Sequence, residues 1–356
     1  METITHKELK EQINIAYDTK TPLFIWGGVG IGKSESIKNC AKEIAEREGL
    51  SFVETNTENG HFGFLDVRIS QLEPSDLRGL PVQDVATGTT KWLIPNWLPK
   101  KKDSKGIIFF DELNLSPPSI QAVAYQLILD RRIGDYVLPS GWVIVSAGNR
   151  IEDKCSVFEM SNALCNRFLH SELRIPDKDE WTSWAIENGV DNRIVAFINF
   201  KPSSLNNTDS KNKDKAFPTP RSWAFCSKLI QDRTEIPLLK RLIGSSVGEA
   251  TAIEFIAFLK LQQKINLKDI LKNPKSIENV KDIDLRYVLL GTIAEQYKKD
   301  KKILVQTFPL CDYLEPEFSI LLLRFLKAIN GNDFKKTITT DKKGIALLKR
   351  YGEILA

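Results

Sequence analysis

The sequence predicts an α/β fold, in which a mostly parallel sheet is covered by helices on both faces and is followed by helical regions. Short apolar segments typical of buried strands alternate with amphipathic helical segments over residues 20–176. A glycine-rich loop joins one such strand to one such helix, and beyond Pro176 the pattern becomes helical. We therefore expect an α/β domain over residues 1–176, a helical domain over 177–245 and a helical C-terminal region of unassigned role over 246–356.

The first elements follow from the spacing of apolar residues. Residues 7–17 predict a helix, because apolar side chains recur there at helical spacing. The apolar run Leu23–Trp26 predicts a strand that leads into the glycine-rich loop. After the loop, an apolar stripe predicts a helix that ends near Gly49, and residues 51–55 predict a second strand.

The middle of the first domain is less regular. Residues 60–103 are rich in Gly, Pro and Trp, so we expect an insertion that carries loops. The run Gly106–Phe110 predicts a buried strand, and a pair of prolines then opens an amphipathic helix. Residues 132–138 predict a hairpin that turns at Gly134, and residues 142–146 predict the next core strand.

The second half predicts helices interrupted by one polar tract. Residues 201–215 are rich in Asn, Ser, Asp and Lys, which is typical of a mobile loop. From about residue 245 onward the chain is rich in Leu, Ile and Lys at helical spacing.

Composition indicates an ordinary globular protein. The 356 residues are 42% hydrophobic and 27% charged, with a net charge of +4, which gives no strong case for a nucleic-acid partner. The 5 cysteines show no CxxC spacing, so neither a disulfide framework nor a zinc site is expected. The chain shows no signal peptide and no apolar run near the roughly 18 residues that span a bilayer, so we expect a soluble, cytoplasmic protein.

The glycine-rich loop carries the strongest chemical signal. Its sequence, GGVGIGKS, fits the phosphate-binding pattern G-x-x-x-x-G-K-[ST] between a strand and a helix. Glycines allow backbone N–H groups to surround phosphates, and the helix N-terminus adds partial positive charge. We expect Lys33 to reach the β- and γ-phosphates of a nucleotide and the Ser34 hydroxyl to bind Mg²⁺. The predicted nucleotide-binding residues are Gly28, Val29, Gly30, Ile31, Gly32, Lys33, Ser34, Glu35 and Asp111.

Two acidic residues follow the strand Gly106–Phe110. Asp111 and Glu112 are expected at the carboxyl edge of the sheet, where α/β folds bind ligands. Asp111 is predicted to hold Mg²⁺, together with Ser34, and Glu112 to act as the general base toward the attacking water. The alternative is an ordinary strand end followed by an acidic helix start.

A third strand end carries Asn149. A neutral amide at this edge can orient the attacking water and contact the γ-phosphate without adding charge. The alternative is that Asn149 is a turn or helix cap, for which Asn is favoured.

In order along the chain, the motifs resemble those of AAA+ ATPases, and within them the MoxR-like branch. The matching segments are GGVGIGKS, then LEPSDLRG at residues 72–79, then IIFFDELN, SPPSIQ, SAGN, NRF and PTPRSW. The resemblance covers roughly residues 1–240 and is weak or absent beyond about 250. It implies a P-loop NTPase fold in which residues 27–34 resemble Walker A, Asp111 and Glu112 resemble Walker B, and Asn149 resembles sensor 1.

The resemblance also selects two arginines, which composition alone does not distinguish from surface groups. Arg167, expected on a helix, resembles the arginine finger that acts on the nucleotide of a neighbouring subunit. Arg221 resembles the sensor 2 arginine of a helical lid, here residues 177–245, and Pro220 is expected to start its helix. A guanidinium stabilises the charge that builds up on a transferring phosphoryl group.

Assembly and partners are implied by the same resemblance. Residues 60–99 resemble the insertion within helix 2 of this branch, and residues 131–139 resemble its hairpin before sensor 1. The resemblance implies an ATP-hydrolysing homo-oligomer, typically a hexameric ring, that remodels protein partners in a chaperone-like way. A partner with a von Willebrand factor A domain is one possibility. Asp76 and Arg78 are candidates for coupling hydrolysis to such a partner.

Other functions stay open on the sequence alone. Lysine-rich segments at 100–105, 211–215 and 335–349 raise the alternative of a nucleic-acid motor or loader, although solvated loops explain them as well. A DNA titration at low salt separates the two, because phosphate contacts strengthen as salt falls. ATP rather than GTP is favoured only by the family resemblance.

Overall fold

A computed structural model describes residues 1–55, 60–150, 158–208 and 214–355. The chain forms two compact units, Met1–Ile175 and Pro176–Ala356. In the part that the model describes, no helix is long and apolar enough to cross a membrane.

Within the described residues, the first unit contains eleven strands and five α-helices. Its strands are β1 (Thr3–Ile4), β2 (Leu23–Trp26), β3 (Ser51–Val53), β4 (His61–Arg68), β5 (Leu80–Asp84), β6 (Thr89–Leu93), β7 (Lys105–Asp111), β8 (Arg132–Ile133), β9 (Tyr136–Val137), β10 (Gly141–Gly148) and β11 (Leu169–Leu173). Its helices are α1 (His6–Thr19), α2 (Lys33–Arg47), α3 (Pro74–Arg78), α4 (Pro118–Asp130) and α5 (Asn162–Cys165).

Seven strands form one sheet in the order β1-β11-β2-β10-β7-β4-β3. Each pair of neighbours is parallel, so the carboxyl ends of β2, β7 and β10 lie at the same edge. The register pairs Trp26 with Gly148 and Phe110 with Ser146. This register brings the loops that follow the three strands together.

Both faces of the sheet are buried. Along β7, Ile107 and Phe109 belong to the apolar core that includes α1 and α2, whereas Ile108 and Phe110 belong to the core that includes α4. Burial on both faces explains why the central strands are continuously apolar. The predicted fold class, a parallel P-loop NTPase sheet between helices followed by a helical region, is confirmed.

The segment predicted as an insertion at residues 60–99 begins with a core strand. Its residues 61–68 form β4, which lies between β7 and β3. The insertion interpretation was wrong for these residues, because Gly63 and Asp66 interrupt the apolar pattern by which a buried strand is recognised. After β4 come a short 3-10 turn, α3 and the antiparallel hairpin β5–β6. Residues 132–137 form the predicted hairpin, as β8 and β9.

Gly79 is held where only glycine fits. Its φ is 89° and ψ is −173°, and a Cβ there would overlap the carbonyl oxygen of Leu93 on the opposite strand of the hairpin. We expect Gly79→Ala to open β5–β6 locally and to raise amide exchange in the hairpin at least about 30-fold, the equivalent of about 2 kcal/mol.

A matched variant separates the overlap from backbone strain. Gly134 has a φ of 54°, and a Cβ there would meet no atom within 4 Å. Gly134→Ala should therefore cost only about 1 kcal/mol of local backbone strain. If the two substitutions raised amide exchange by the same factor, each in its own hairpin, β5–β6 and β8–β9, the packing argument would be contradicted.

The second unit is helical. Its helices are α6 (Lys178–Glu187), α7 (Asn192–Phe200), α8 (Pro220–Ile230), α9 (Ile236–Val247), α10 (Glu249–Lys260), α11 (Leu267–Lys272), α12 (Ile283–Lys299), α13 (Ile303–Thr307), α14 (Pro316–Ile329), α15 (Gly331–Thr340) and α16 (Lys342–Leu355). One apolar core runs from Trp181 to Tyr351. The boundary predicted near residue 245 therefore does not separate two hydrophobic cores.

The polar tract at residues 201–215 is described only in part. Residues 202–204 form a short 3-10 turn, and Ser204 is buried. Residues 209–213 of the predicted loop lie outside the described residues.

Candidate functional site

The glycine-rich loop connects β2 to α2, as the sequence predicts. Gly30 has a φ of 73° and Gly32 a φ of 102°, values that residues with a side chain rarely adopt. Gly32 is the residue before the first turn of α2, which begins at Lys33. The first N–H groups of any helix have no partner within the helix, so with the positive end of the helix dipole they make this place suited to an anion.

Lys33 joins the loop to the end of β10. Its side chain is 8% exposed, and Nζ donates to the carbonyl oxygens of Gly27 at 2.6 Å and Gly28 at 2.8 Å. Nζ also donates to Oδ1 of Asn149 at 3.0 Å. The fold therefore brings together a cation and an amide that lie 116 residues apart in the sequence.

Asp111 and Ser34 supply adjacent oxygen ligands. Ser34 Oγ donates to Asp111 Oδ2 at 3.1 Å, and the backbone N–H of Glu112 donates to Oδ1 at 3.0 Å. Desolvation and the charge of Asp111 raise the pKa of Asp66 on the neighbouring strand β4. Carboxylate and hydroxyl oxygens are the groups that a divalent cation such as Mg²⁺ prefers.

Glu112 follows β7 in the left-handed backbone region, with a φ of 58°. Its Oε2 accepts a hydrogen bond from Ser70 Oγ at 3.3 Å. Ser70 lies just after β4 at the same edge of the sheet and was not predicted from the sequence. Its position could not be predicted while residues 60–99 were assigned to an insertion, because only a strand at 61–68 places residue 70 at this edge.

Asn114 is a second residue that the sequence interpretation missed. It is 2% exposed, and its Nδ2 donates to the backbone carbonyl of Asn149 at 2.7 Å. Gly148 packs so closely on the Asn114 amide that a Cβ at Gly148 would overlap Oδ1. Asn114 therefore fixes the backbone that carries the Asn149 side chain toward Lys33.

The substitution Asn114→Asp tests this positioning role. It preserves the shape of the side chain but removes the N–H donor, and it leaves a buried carboxylate against the Asn149 carbonyl. We expect kcat/KM for nucleotide hydrolysis to fall about tenfold or more, because a lost buried donor costs about 1–3 kcal/mol.

A matched control is available in the helical unit. Asn199 is also buried, and its Nδ2 donates to Thr182 Oγ1 at 2.8 Å and to the Val195 carbonyl at 2.9 Å. Asn199→Asp should lower stability and leave kcat/KM per folded molecule within about twofold. Equal kinetic losses in the two variants would show that Asn114 has no special role at the site.

The two predicted arginines are both exposed. Arg167 is not on a helix, because α5 ends at Cys165, and it lies instead in the turn that leads into β11. Arg221 lies in the first turn of α8, which begins at Pro220, as predicted, and is capped by Thr219. A cation in the first turn opposes the helix dipole, so helix stability does not explain Arg221.

Asp76 and Arg78 have structural contacts of their own. The Asp76 carboxylate accepts from the backbone N–H of Glu73 at 2.8 Å, and the Asp76 carbonyl accepts from Trp97 Nε1 at 2.9 Å. The Arg78 guanidinium lies 5.6 Å from the centre of the Trp92 ring. These contacts anchor α3 and the β5–β6 hairpin, and a coupling role for either residue stays a prediction.

Comparisons with known proteins give only distant likenesses. No family model and no curated protein matches the chain. A putative ATPase from Cytophaga hutchinsonii is 12% identical, with 98% of this chain and 90% of that chain covered and a TM-score of 0.36.

Two further solved structures are similarly distant. The RuvB Holliday junction branch migration motor of Thermotoga maritima is 14% identical over 74% of this chain and 75% of that chain, with a TM-score of 0.37. Hsp104 in its closed state is 16% identical over 71% and 45%, with a TM-score of 0.36. At such scores the functional assignment depends on the strand order and on the polar residues gathered at the sheet edge.

Proposed function

We propose that this chain is an ATP-hydrolysing AAA+ motor of the MoxR-like branch. The observation that carries the proposal is the convergence at one sheet edge of Lys33, Ser34, Asp111, Glu112 and Asn149, which come from three separate loops. A glycine-rich turn without a ligand has no need for a buried lysine that bridges to the end of a second strand.

Each of these side chains has a distinct task in the proposed reaction. Lys33 and the N–H groups of the loop bind the β- and γ-phosphates of ATP. Ser34 and Asp111 hold Mg²⁺, which offsets the negative charge of the phosphates. Glu112 accepts a proton from the attacking water, and the Asn149 amide orients that water beside the γ-phosphate.

The site is proposed to be completed by a second copy of the chain. Arg167 is exposed in its turn, which suits a finger that acts on a neighbouring nucleotide. Arg221, exposed at the start of α8, is proposed to act on the nucleotide of its own chain as part of a helical lid formed by residues 177–245. A hexameric ring is the assembly proposed from the family resemblance.

Mixing two inactive variants tests the shared site. Glu112→Gln subunits retain the finger but lack the base, whereas Arg167→Ala subunits retain the base but offer no finger. We expect a mixture of the two to hydrolyse ATP faster than either protein alone. If the mixture gains nothing and Arg167→Ala alone hydrolyses normally, the assignment of Arg167 to a neighbouring site is wrong.

The output of the motor is proposed to be the remodelling of a protein partner, for which a von Willebrand factor A domain is one candidate. The exposed face of the β5–β6 hairpin, with Leu80 59% and Leu93 53% exposed, supports a protein contact there. Affinity capture with Glu112→Gln in ATP should retain the partner, and capture in ADP should not. Equal recovery in ATP and ADP would count against an ATP-driven remodeller.

A further inference from the structure

The strand that leads into the glycine-rich loop is hydrogen bonded to a histidine on the neighbouring strand. Trp26 is the last residue of β2, and its Nε1 donates to His170 Nδ1 at 3.0 Å. His170 lies on β11, and its Nε2 lies 2.7 Å from the carbonyl oxygen of Cys165.

The chemistry of the two neighbours fixes the protonation of the histidine. An indole nitrogen only donates, so Nδ1 must be the acceptor and carries no proton. A carbonyl oxygen only accepts, so Nε2 must carry the proton and donate. Trp26, His170 and Cys165 therefore form a directional chain of hydrogen bonds, with one neutral tautomer of the ring at its centre.

Aromatic packing holds this chain of hydrogen bonds in place. The Trp26 and His170 rings are stacked, with centroids 6.1 Å apart and an interplanar angle of 24°. Phe24 packs on Trp26 at 4.3 Å, and Phe168 meets His170 edge-on at 6.2 Å. With rings on several sides, Trp26 and His170 have little rotational freedom.

The chain of hydrogen bonds from Trp26 through His170 ends at the turn that contains Arg167. The Cys165 carbonyl accepts from His170 and also from the backbone N–H of Phe168 at 3.2 Å. The N–H of Arg167 donates to the Leu164 carbonyl at 3.1 Å. The Cys165 carbonyl thus lies in the same turn as the exposed Arg167, and its two hydrogen bonds constrain the backbone of that turn.

A second contact ties the same strand to the site. Arg150, which follows Asn149, donates from Nη1 to Glu172 Oε1 at 3.1 Å. The register places Glu172 beside Trp26. The strand β11 therefore makes two contacts near the proposed nucleotide site. His170 contacts Trp26, which precedes the glycine-rich loop, and Glu172 contacts Arg150, which follows Asn149.

We propose that Trp26 and His170 are positioning residues for Arg167. They link the strand entering a subunit's own phosphate loop to the turn whose arginine serves the neighbouring subunit. The inference rests on the proposed function for the role of Arg167 itself. It goes beyond that role because it assigns the placement of the arginine to side chains beside the chain's own glycine-rich loop.

The first test uses the nucleotide-free protein. Nitrogen-15 spectra of the His170 ring should show a protonated Nε2 and an acceptor Nδ1, and Trp26→Phe should shift the Nδ1 signal. Amide exchange at Arg167 and Phe168 should rise about fivefold, as expected for one lost neutral hydrogen bond. Trp142→Phe, which removes the indole that donates to Ser104 Oγ, is the matched control and should leave these amides unchanged.

The second test places Trp26→Phe in one component of the mixed assembly. In the Glu112→Gln subunit, which donates the finger, the substitution should lower hydrolysis about fivefold or more. In the Arg167→Ala subunit, which receives the finger, it should leave hydrolysis unchanged. Equal losses in both placements, or a loss only in the receiver, would overturn the inference, because damage to the phosphate loop itself predicts that pattern.

The outcomes separate this inference from the function on which it rests. Absence of activity in the parent mixture overturns the shared site and the inference together, whereas an active parent mixture without the asymmetry overturns the inference alone. If Trp26→Phe does not fold, the same placements are made with His170. His170→Gln keeps an N–H for the Cys165 carbonyl and should retain most finger activity, whereas His170→Phe should lose it. Equal activity of these two variants also contradicts the inference.

Discussion

Replacing Glu112 with Gln is expected to lower kcat for ATP hydrolysis by about 10²–10⁴-fold, the usual contribution of a positioned general base. The amide has nearly the same shape and retains an oxygen that can accept from Ser70 Oγ, so the turn after β7 should keep its conformation. Nucleotide affinity should stay within about threefold, because Glu112 is proposed to act on the water rather than to hold the phosphates.

Phosphate release and equilibrium nucleotide binding, measured on the same preparation, check both parts of this expectation. Glu46→Gln, on the exposed face of α2, is the matched control and should be indistinguishable from the unsubstituted protein. A Glu112→Gln protein with normal kcat would remove Glu112 from the reaction.

Asp191→Ala is expected to lower the free energy of unfolding of the helical unit by about 3–5 kcal/mol. Asp191 caps α7 and forms an ion pair with Arg193 at 2.7 Å, with side-chain exposures of 2% and 13%. Arg193 also donates to the carbonyls of Ile230 at 2.8 Å and Arg233 at 2.7 Å, at the end of α8. Removal of the carboxylate leaves a partly buried guanidinium without the acidic group that it contacts directly.

A surface ion pair in the same unit provides the comparison. Lys201 and Glu254 are 2.7 Å apart, but their side chains are 40% and 46% exposed. Glu254→Ala should therefore cost less than about 1 kcal/mol. Urea unfolding followed by helical circular dichroism measures both variants, and similar losses in the two would refute the special importance of the buried pair.

The residues of the proposed phosphate site were predictable because their chemistry is local. The loop at 27–34 needs glycines at its left-handed positions and a lysine at the helix start, and the sequence displays both directly. Asp111, Glu112 and Asn149 were predictable because each follows a strongly apolar strand, and parallel strands end at one edge.

What the sequence did not reveal depends on packing between distant segments. β4 is recognisable only from its pairing with β7, because Asp66 breaks its apolar run. The two strands approach so closely that a Cβ at Gly106 would overlap the Gly63 carbonyl oxygen. Ser70 and Asn114 act through contacts with other loops. Asn114 ends the matched segment IIFFDELN, but its contact with the Asn149 backbone is visible only in the fold. Arg167 was expected on a helix, but α5 ends at Cys165, two residues before it.

The helical unit shows the same division. Its helices were expected from the periodic apolar residues, whereas a core continuous from α6 to α16 was not. The Asp191–Arg193 pair is local in sequence, but its surroundings depend on the start of α7 meeting the end of α8, where Arg193 donates to the Ile230 carbonyl. Residues 37 positions apart in sequence give no sign of this contact.

Phosphate release from ATP and Mg²⁺ by the unsubstituted protein and by Lys33→Ala tests the central claim most directly. The proposed site predicts Mg²⁺-dependent hydrolysis by the former. The latter should hydrolyse at least about 10²-fold more slowly, because it lacks the buried ammonium that we propose binds the phosphates. Hydrolysis that is unchanged in Lys33→Ala would contradict the assignment of the reaction to this sheet edge.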